Sequence, residues 1–583
     1  MKGILKFNSL LILGLVLSSC NKPPSSSHLR LDDAKPSQDL AGTVSTSGYT
    51  KLMCEMPETR RGIRAWRRLS NQELINTAKD VFGVTDAVDF SSLNSDIPKI
   101  GLYDTVQSPE TYMDANRIKG YETFALAVAN AADMNKLFPC ITAGESCISQ
   151  KIPEIGAMAW RRPLTPDDIK IYVDLYKTLI ADGGTPAGAL PYVLEALILS
   201  PNFMYRSELG EVNANKEFEL TSWEMASALS YLIWRRPPDA PLREAAQNNL
   251  LKSKDAIVAQ AKRLFADPKA KDAMKDFGDM WFDGKNIVAV VKADMRFNTA
   301  AKVAMQNEVR DFVANLMTDP DKGTFDELLN ASSTPGTATT SFIYGAMPGA
   351  DGKIQYAQEQ RRGILGQAGF LAGHAFSDTP NPITRGAFVS KRLLCADFAV
   401  VKAMEVPEAK PGLSNKERFA AHSSHPACAV CHVMIDPFGF AMENFDSNGL
   451  FRTTDADKPI VVESKFMLDG KEVSINKPQD LSKAIASSEQ GLNCLARQVF
   501  RYSYGRMEFV PRMLVGGLAA NDQSVQRKLD QCELDTVTAE LKANGGKLQN
   551  AMISMISSPA FRLRLQGELP MTTTSLQFTG GSH

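Results

Sequence analysis

The stretch His425-Pro426-Ala427-Cys428-Ala429-Val430-Cys431-His432 constrains this chain more than any other. Two cysteines three apart with a histidine directly behind them form the attachment pattern of a c-type haem. Each thiol can form a thioether with a haem vinyl group, and the adjacent imidazole then offers iron an axial nitrogen. A redox dithiol and half of a four-ligand zinc site are the competing readings. The chain has no second CxxC to complete a zinc site, and a dithiol leaves the histidine unexplained. Cys428 and Cys431 are therefore expected to hold one covalent haem c, with His432 as its proximal iron ligand.

The amino end bears on what the other cysteines can do. Lys2 and Lys6 precede an apolar run, Phe7 to Leu17, that is too short to span a membrane. It ends in Leu17-Ser18-Ser19-Cys20, which has the form of a bacterial lipobox. Residues 1–19 then read as a lipoprotein signal peptide, with lipid on Cys20 as a stable membrane attachment. A plain signal peptide is the alternative. Asn21 stands where a lipoprotein retained at the inner membrane more often carries Asp, so the expected address is the outer membrane facing the periplasm, or the cell surface. Six cysteines remain in an oxidising compartment: Cys54, Cys140, Cys147, Cys395, Cys494 and Cys532. The expected pairs are Cys140–Cys147, Cys494–Cys532 and, by elimination, Cys54–Cys395.

With 65 basic and 66 acidic residues the formal charge is −1, and this balance points to no nucleic-acid partner. The chain lacks GxSxG, HExxH and Gly-rich phosphate-loop motifs, so the ordinary serine-hydrolase, zincin and nucleotide-dependent readings have no support.

Hydrophobic spacing along the body is mainly helical. Residues 20–55 read as a lipidated terminus and a Ser/Pro-rich tether. A first helical domain occupies 56–150, with Trp66, Leu69, Leu74, Ala78 and Val81 at roughly helical spacing and a capping box of Ser70 and Glu73. A second covers 151–215, where Thr165, Pro166 and Asp168 mark a helix start. The third covers 216–355 and includes a helix from Ser222 to Trp234. The strings Trp160-Arg161-Arg162-Pro163 and Trp234-Arg235-Arg236-Pro237 read as similar helix ends rather than as duplicated domains. A haem domain is placed at 356–477, a C-terminal helical domain at 478–565 and a polar tail at 566–583. Val461 to Ile475 reads as a hairpin about Asp469-Gly470, the one convincing strand pair. The expected fold class is mainly α: a multidomain helical protein with an embedded cytochrome c-like haem domain and a small β-hairpin.

Taken in order, several blocks resemble those of bacterial multidomain proteins of the planctomycete type, which join helical domains of unknown function to a cytochrome c domain. Arg67-Arg68-Leu69-Ser70-Asn71-Gln72-Glu73-Leu74 is similar to the opening of their first helical domain, and Trp160-Arg161-Arg162-Pro163-Leu164-Thr165 to the second. Pro201-Asn202-Phe203-Met204-Tyr205-Arg206 and Leu229-Ser230-Tyr231-Leu232-Ile233-Trp234 resemble the third. Arg385-Gly386-Ala387-Phe388-Val389, the CxxCH and Asp436-Pro437-Phe438-Gly439-Phe440 resemble the cytochrome domain. Arg497-Gln498-Val499-Phe500-Arg501-Tyr502 with Gly505-Arg506 resembles the last domain. The resemblance implies architecture and haem binding. It supplies no substrate.

Around the expected iron, the sixth ligand is open among His374, Met434, Met442, Met507 and Met513, with a core or filler role as the alternative for each. His422 matches a position that is often histidine in the family domain and suits a haem propionate better than the iron. Arg385 and Arg452 are candidate propionate partners, because a guanidinium fork matches a carboxylate. Glu443 and Asp446 have the spacing of helix neighbours, so paired carboxylate chemistry stands beside capping and surface roles. The functional expectation is electron transfer between an unidentified donor protein and an unidentified acceptor protein. The alternatives are a haem-dependent oxidoreductase, peroxidase-like or acting on another extracytoplasmic substrate, and a surface binding protein in which haem senses or stabilises.

Overall fold

Ser70 begins the first well-formed helix as the sequence leads one to expect. Its side chain accepts from the Glu73 amide, Glu73 accepts from the Ser70 amide, and helix Asn71–Phe82 ends at Gly83 in the left-handed conformation. In this computed structural model the described residues are 60–96, 103–106, 113–357, 360–396, 412–423, 432–508, 513–514, 517–518 and 525–565, with the side chains of 420–423, 513–514, 517–518 and 525–528 outside the description. All of these residues fall in one unit, 44–583. No helix among them is long and apolar enough to cross a membrane.

The chain is mainly α-helical, as expected, with small sheets at the edges. Helices Asn71–Phe82, Ala115–Ala131, Glu145–Trp160, Pro166–Ala181 and Pro186–Leu199 enclose one apolar core, centred on Leu74, Phe124, Ile152, Leu194 and Phe203. A larger core begins with helices Ser222–Trp234, Pro268–Trp281 and Thr299–Thr318. It runs without a break through Phe388, Phe438 and Phe445 into Val499, Leu541, Met552 and Phe561. The segment expected to carry haem is thus packed on both the helices before it and those after it.

The two Trp-Arg-Arg-Pro strings are indeed similar helix ends. Arg161 (φ 60°) and Arg235 (φ 55°) both terminate their helices in the left-handed region. Each turns a buried guanidinium inward. Arg161 donates to the carbonyls of Ala159 (2.9 Å), Phe203 (3.1 Å) and Tyr205 (2.9 Å), whereas Arg235 pairs with Asp104. A left-handed backbone is strained for a side-chain-bearing residue. Here the bonds made by the two arginines offset that strain.

The hairpin is present as Ser464–Leu468 paired with Lys471–Ile475. Asp469 and Gly470, at φ 51° and 75°, form the turn that matches strand twist. It is not the only strand pair. Ala65–Arg68 runs antiparallel to Tyr205–Glu208, and Leu563–Arg564 pairs with Phe218–Glu219, which also holds Glu211–Val212. Trp66 therefore lies on a strand and faces solvent (49% exposed), not on the helix its spacing suggested. Pieces of two to four residues are too short for alternation to show. Glu208 locks this region. Burial works to raise its pKa, but Arg67 (3.0 Å), Arg564 (3.0 Å) and Arg206 (3.3 Å) together hold it down to about 2.

Two disulfides join described cysteines. Cys140–Cys147 is as expected. Cys494 bonds to Cys395, which corrects both the Cys494–Cys532 and the Cys54–Cys395 pairings. Cys494 sits on the face of helix Glu489–Tyr504 that meets the Arg392–Cys395 turn, and its sulfur lies 3.4 Å from the Arg392 carbonyl. Cys532 is also disulfide-bonded, and Cys54 lies outside the described residues.

A buried carboxylate sits between the third helical segment and the haem segment. Glu308, on helix Thr299–Thr318, accepts from Thr334 (2.7 Å) and from the Tyr344 hydroxyl. Thr334 in turn accepts from Gln367 (3.0 Å). The second oxygen of Glu308 has no hydrogen-bond partner, and burial pushes the group up to about 7.

Candidate functional site

Cys428 and Cys431 lie outside the described residues, and the described site begins at His432. His432 is 9% exposed and opens a turn in which the Ile435 amide donates to its carbonyl (3.0 Å). That turn leads into helix Asp436–Phe440. One helical turn after His432, Asp436 Oδ1 lies 2.7 Å from His432 Nδ1. With Nδ1–H directed at a carboxylate, Nε2 is the nitrogen a metal would take, the arrangement usual for metal-bound histidine. Phe438, Phe440 and Met442 are buried just beyond it. The donor set and its apolar surroundings fit a haem iron.

Helix Pro382–Phe388 crosses helix Asp436–Phe440 at two glycines. A Cβ on Gly386 would collide with the Ile435 carbonyl, and one on Gly439 with the Pro382 carbonyl. The two backbones touch, which explains a glycine in each of the two short motifs. The contact fixes the segment that carries His432.

Arg385 lies in the same crossing, but its role differs from expectation. Its guanidinium is fully buried and donates to the carbonyls of Leu371 (2.9 Å), Met442 (3.2 Å), Phe445 (2.7 Å) and Asp446 (2.7 Å). Burial lowers it to about 10, against the opposing pull of Glu443 and Asp446. Its donors are consumed by backbone, so the propionate expectation is corrected: Arg385 is a clasp inside the domain.

Arg452 also has protein partners. It donates to the Glu443 carbonyl (3.2 Å) and carboxylate (3.2 Å) and to Asp455 (2.6 Å), with part of its side chain at the surface. Asn415 donates to both oxygens of Glu443 (3.0 and 3.1 Å). These contacts tie helix Asn415–Ser423, which includes His422, to the turn behind the haem motif. The His422 side chain lies outside the described residues. Glu443 is raised by burial, whereas Asp446 accepts from the amides of Asn448 and Leu450 (both 2.8 Å). One is a buried bracket and the other a turn cap, so they do not form an acid–base pair.

His374 is enclosed by aromatic rings. Phe370 and Phe388 both lie 4.8 Å from its ring centre, and Nδ1 meets the Phe370 carbonyl at 2.9 Å. Nε2 makes no hydrogen bond; Asp283 is 3.9 Å away and is itself bound by Arg392 at 3.0 Å. Among the described residues no hydrogen bond, ion pair or ring contact joins His374 to His432. Met434 is partly buried against Ile435, and Met442 is buried. Met507 is partly buried, and the Met513 side chain is outside the description.

The residue not singled out from sequence is Asp436. The signal was present as His-x-x-x-Asp, an i,i+4 pair directly after the CxxC.

Three segments match family models. Residues 147–208 match PSD5, "Protein of unknown function (DUF1595)"; residues 220–346 match PSD4, "Protein of unknown function (DUF1592)". Residues 361–455, which include Arg385, the CxxCH and Asp436, match PSCyt3, "Protein of unknown function (DUF1588)". No curated protein and no solved structure matches the chain. Two helical segments of unknown function followed by a cytochrome-type segment are thus similar to domains of the planctomycete-type multidomain cytochrome c family.

Proposed function

We propose that this protein carries one covalent haem c and transfers electrons between a donor protein and an acceptor protein outside the cytoplasm. In this reading lipid on Cys20 anchors it, at the outer membrane facing the periplasm or at the cell surface. The observation that carries the haem reading is His432, held through Nδ1 by Asp436 in a segment that matches a cytochrome-type family model. Cys428 and Cys431 would hold the haem, and His432 Nε2 would take the iron, which supplies reversible one-electron chemistry.

The chain's own contribution is rigidity. Asp436 sets the orientation of the His432 ring. The Gly386–Gly439 crossing and the Arg385 clasp keep the backbone behind it from moving. A site that changes little on reduction suits electron transfer.

The test is the spectrum of the full-length protein, exported with c-type maturation, with and without carbon monoxide. A haem-staining band on a denaturing gel and a six-coordinate low-spin centre unmoved by the gas are expected. A product without covalent haem would defeat the proposal. High-spin iron that binds the gas and turns over peroxide would replace electron transfer with oxidoreductase activity.

A further inference from the structure

Asp436 is placed to do more than orient a ring. Its carboxylate meets His432 Nδ1 at 2.7 Å, and both side chains are largely shielded from water, at 15% and 11% exposure. The N-cap of helix Asp436–Phe440 is Ile435, and Asp436 stands in the first turn with its carboxylate beside the His432 ring.

The partner type matters because it decides how much charge the imidazole can pass to a metal. A neutral carbonyl accepting from Nδ1–H polarises the ring weakly. A carboxylate accepting the same proton polarises it strongly and shifts the ring toward imidazolate, which makes the other nitrogen a stronger donor. Low local exposure strengthens the effect, because water does not screen the pair. A stronger axial donor stabilises ferric iron over ferrous.

We propose that Asp436 is a positioning residue that acts through His432 to lower the reduction potential of the haem and so sets the direction in which electrons pass. The inference rests on the haem reading above. It concerns a one-electron change at iron, with the electron supplied in the measurement by an electrode. The electron is the only species transferred, and the hydrogen bond between His432 Nδ1 and Asp436 is kept.

The experiment compares full-length wild type, Asp436→Asn and Asp436→Glu, each exported with c-type maturation. Covalent haem is scored on denaturing gels, the midpoint potential by spectroelectrochemistry, and axial donor strength by the g values of the ferric low-spin signal. Asp436→Asn is expected to move the potential positive by about 59 mV or more, at least tenfold in the one-electron equilibrium. Its largest g value should rise, as a less imidazolate-like ligand requires. Asp436→Glu keeps the carboxylate and is expected to restore most of both changes.

An Asn variant with haem attached but potential and g values unmoved would overturn this inference and leave the haem reading standing. A positive potential with unmoved g values would assign the effect to a lost nearby charge, and that too would overturn it. If the Asn variant does not accumulate, the wild-type g values decide: values of an ordinary neutral imidazole would sink the proposal. Wild type without covalent haem would remove both this inference and the reading beneath it.

Discussion

Cys395 and Cys494 are bonded across 99 residues, and the bond fastens the Arg392–Cys395 turn to the long helix Glu489–Tyr504. Gln498 reinforces the joint by donating to the Arg392 carbonyl at 3.0 Å. Closing so long a loop removes much freedom from the unfolded chain. Replacing both cysteines by serine is expected to cost about 2–5 kcal/mol. Urea unfolding of the double variant against wild type measures it, and non-reducing peptide mapping should recover the Cys395–Cys494 peptide. Recovery of a Cys494–Cys532 peptide instead would contradict the structure.

Arg385 should tolerate no replacement, including lysine. Four carbonyls accept from one planar fork, and an ammonium cannot reproduce that geometry. Arg385→Met leaves those carbonyls without donors in a buried place and is expected to cost roughly 3–5 kcal/mol. Arg385→Lys should recover only part of it. The check is chemical denaturation of both variants, and a loss within error of zero for Arg385→Met would refute the clasp.

Gly386→Ala and Gly439→Ala add one methyl group each at the helix crossing. Each must push backbone away from backbone, so a loss of about 3 kcal/mol or more is expected, at the upper end of overpacking costs. Gly83→Ala serves as a contrast: no atom lies near its Cβ, and only its left-handed φ of 72° resists the change. Melting temperatures of the three variants rank them, and equal losses would mean that the crossing is not tight.

Glu308 gives stability a pH dependence of known sign. Its folded-state pKa of about 7 lies above its ordinary 4.5, so the folded state holds the proton more tightly. The contribution is fully present below about pH 4.5, falls as pH rises, and levels off above about 7, with a total change of roughly 3 kcal/mol. Glu533, raised to about 6 by burial, adds a smaller slope of the same sign. Glu308→Gln should therefore flatten most of the fall between pH 5 and 7.5. Denaturation at those two pH values measures it, and an unchanged slope in the variant would exclude Glu308 as its source.

What could be read in advance was local. Ser70 with Glu73 and Asp469 with Gly470 carry their meaning within a few residues, so the helix start and the hairpin were visible in the chain. The CxxCH and the order of short motifs carried the family. Arg385 and Cys494 could not be read in the same way. Whether an arginine meets a propionate or four carbonyls depends on Leu371 and Asp446, brought to it from different parts of the chain. Cys494 lies closer in sequence to Cys532 than to Cys395, yet the face of its helix decided the bond. Asp436 falls between the two cases: its spacing from His432 is local, but the carboxylate gains significance only when a ring nitrogen is found beside it.

Glu208 draws its three arginines from residues 67, 206 and 564, and the last of these lies 356 positions downstream. A ribosome delivers the chain amino end first. The small sheet that begins with Ala65 therefore waits for nearly the whole protein to be made before its buried acid has its third counter-ion. During that interval Glu208 and its neighbours are incompletely neutralised, and a chain cut short before Arg564 never leaves that state. Synthesis of strand Leu563–Arg564 is thus the event that seals the beginning.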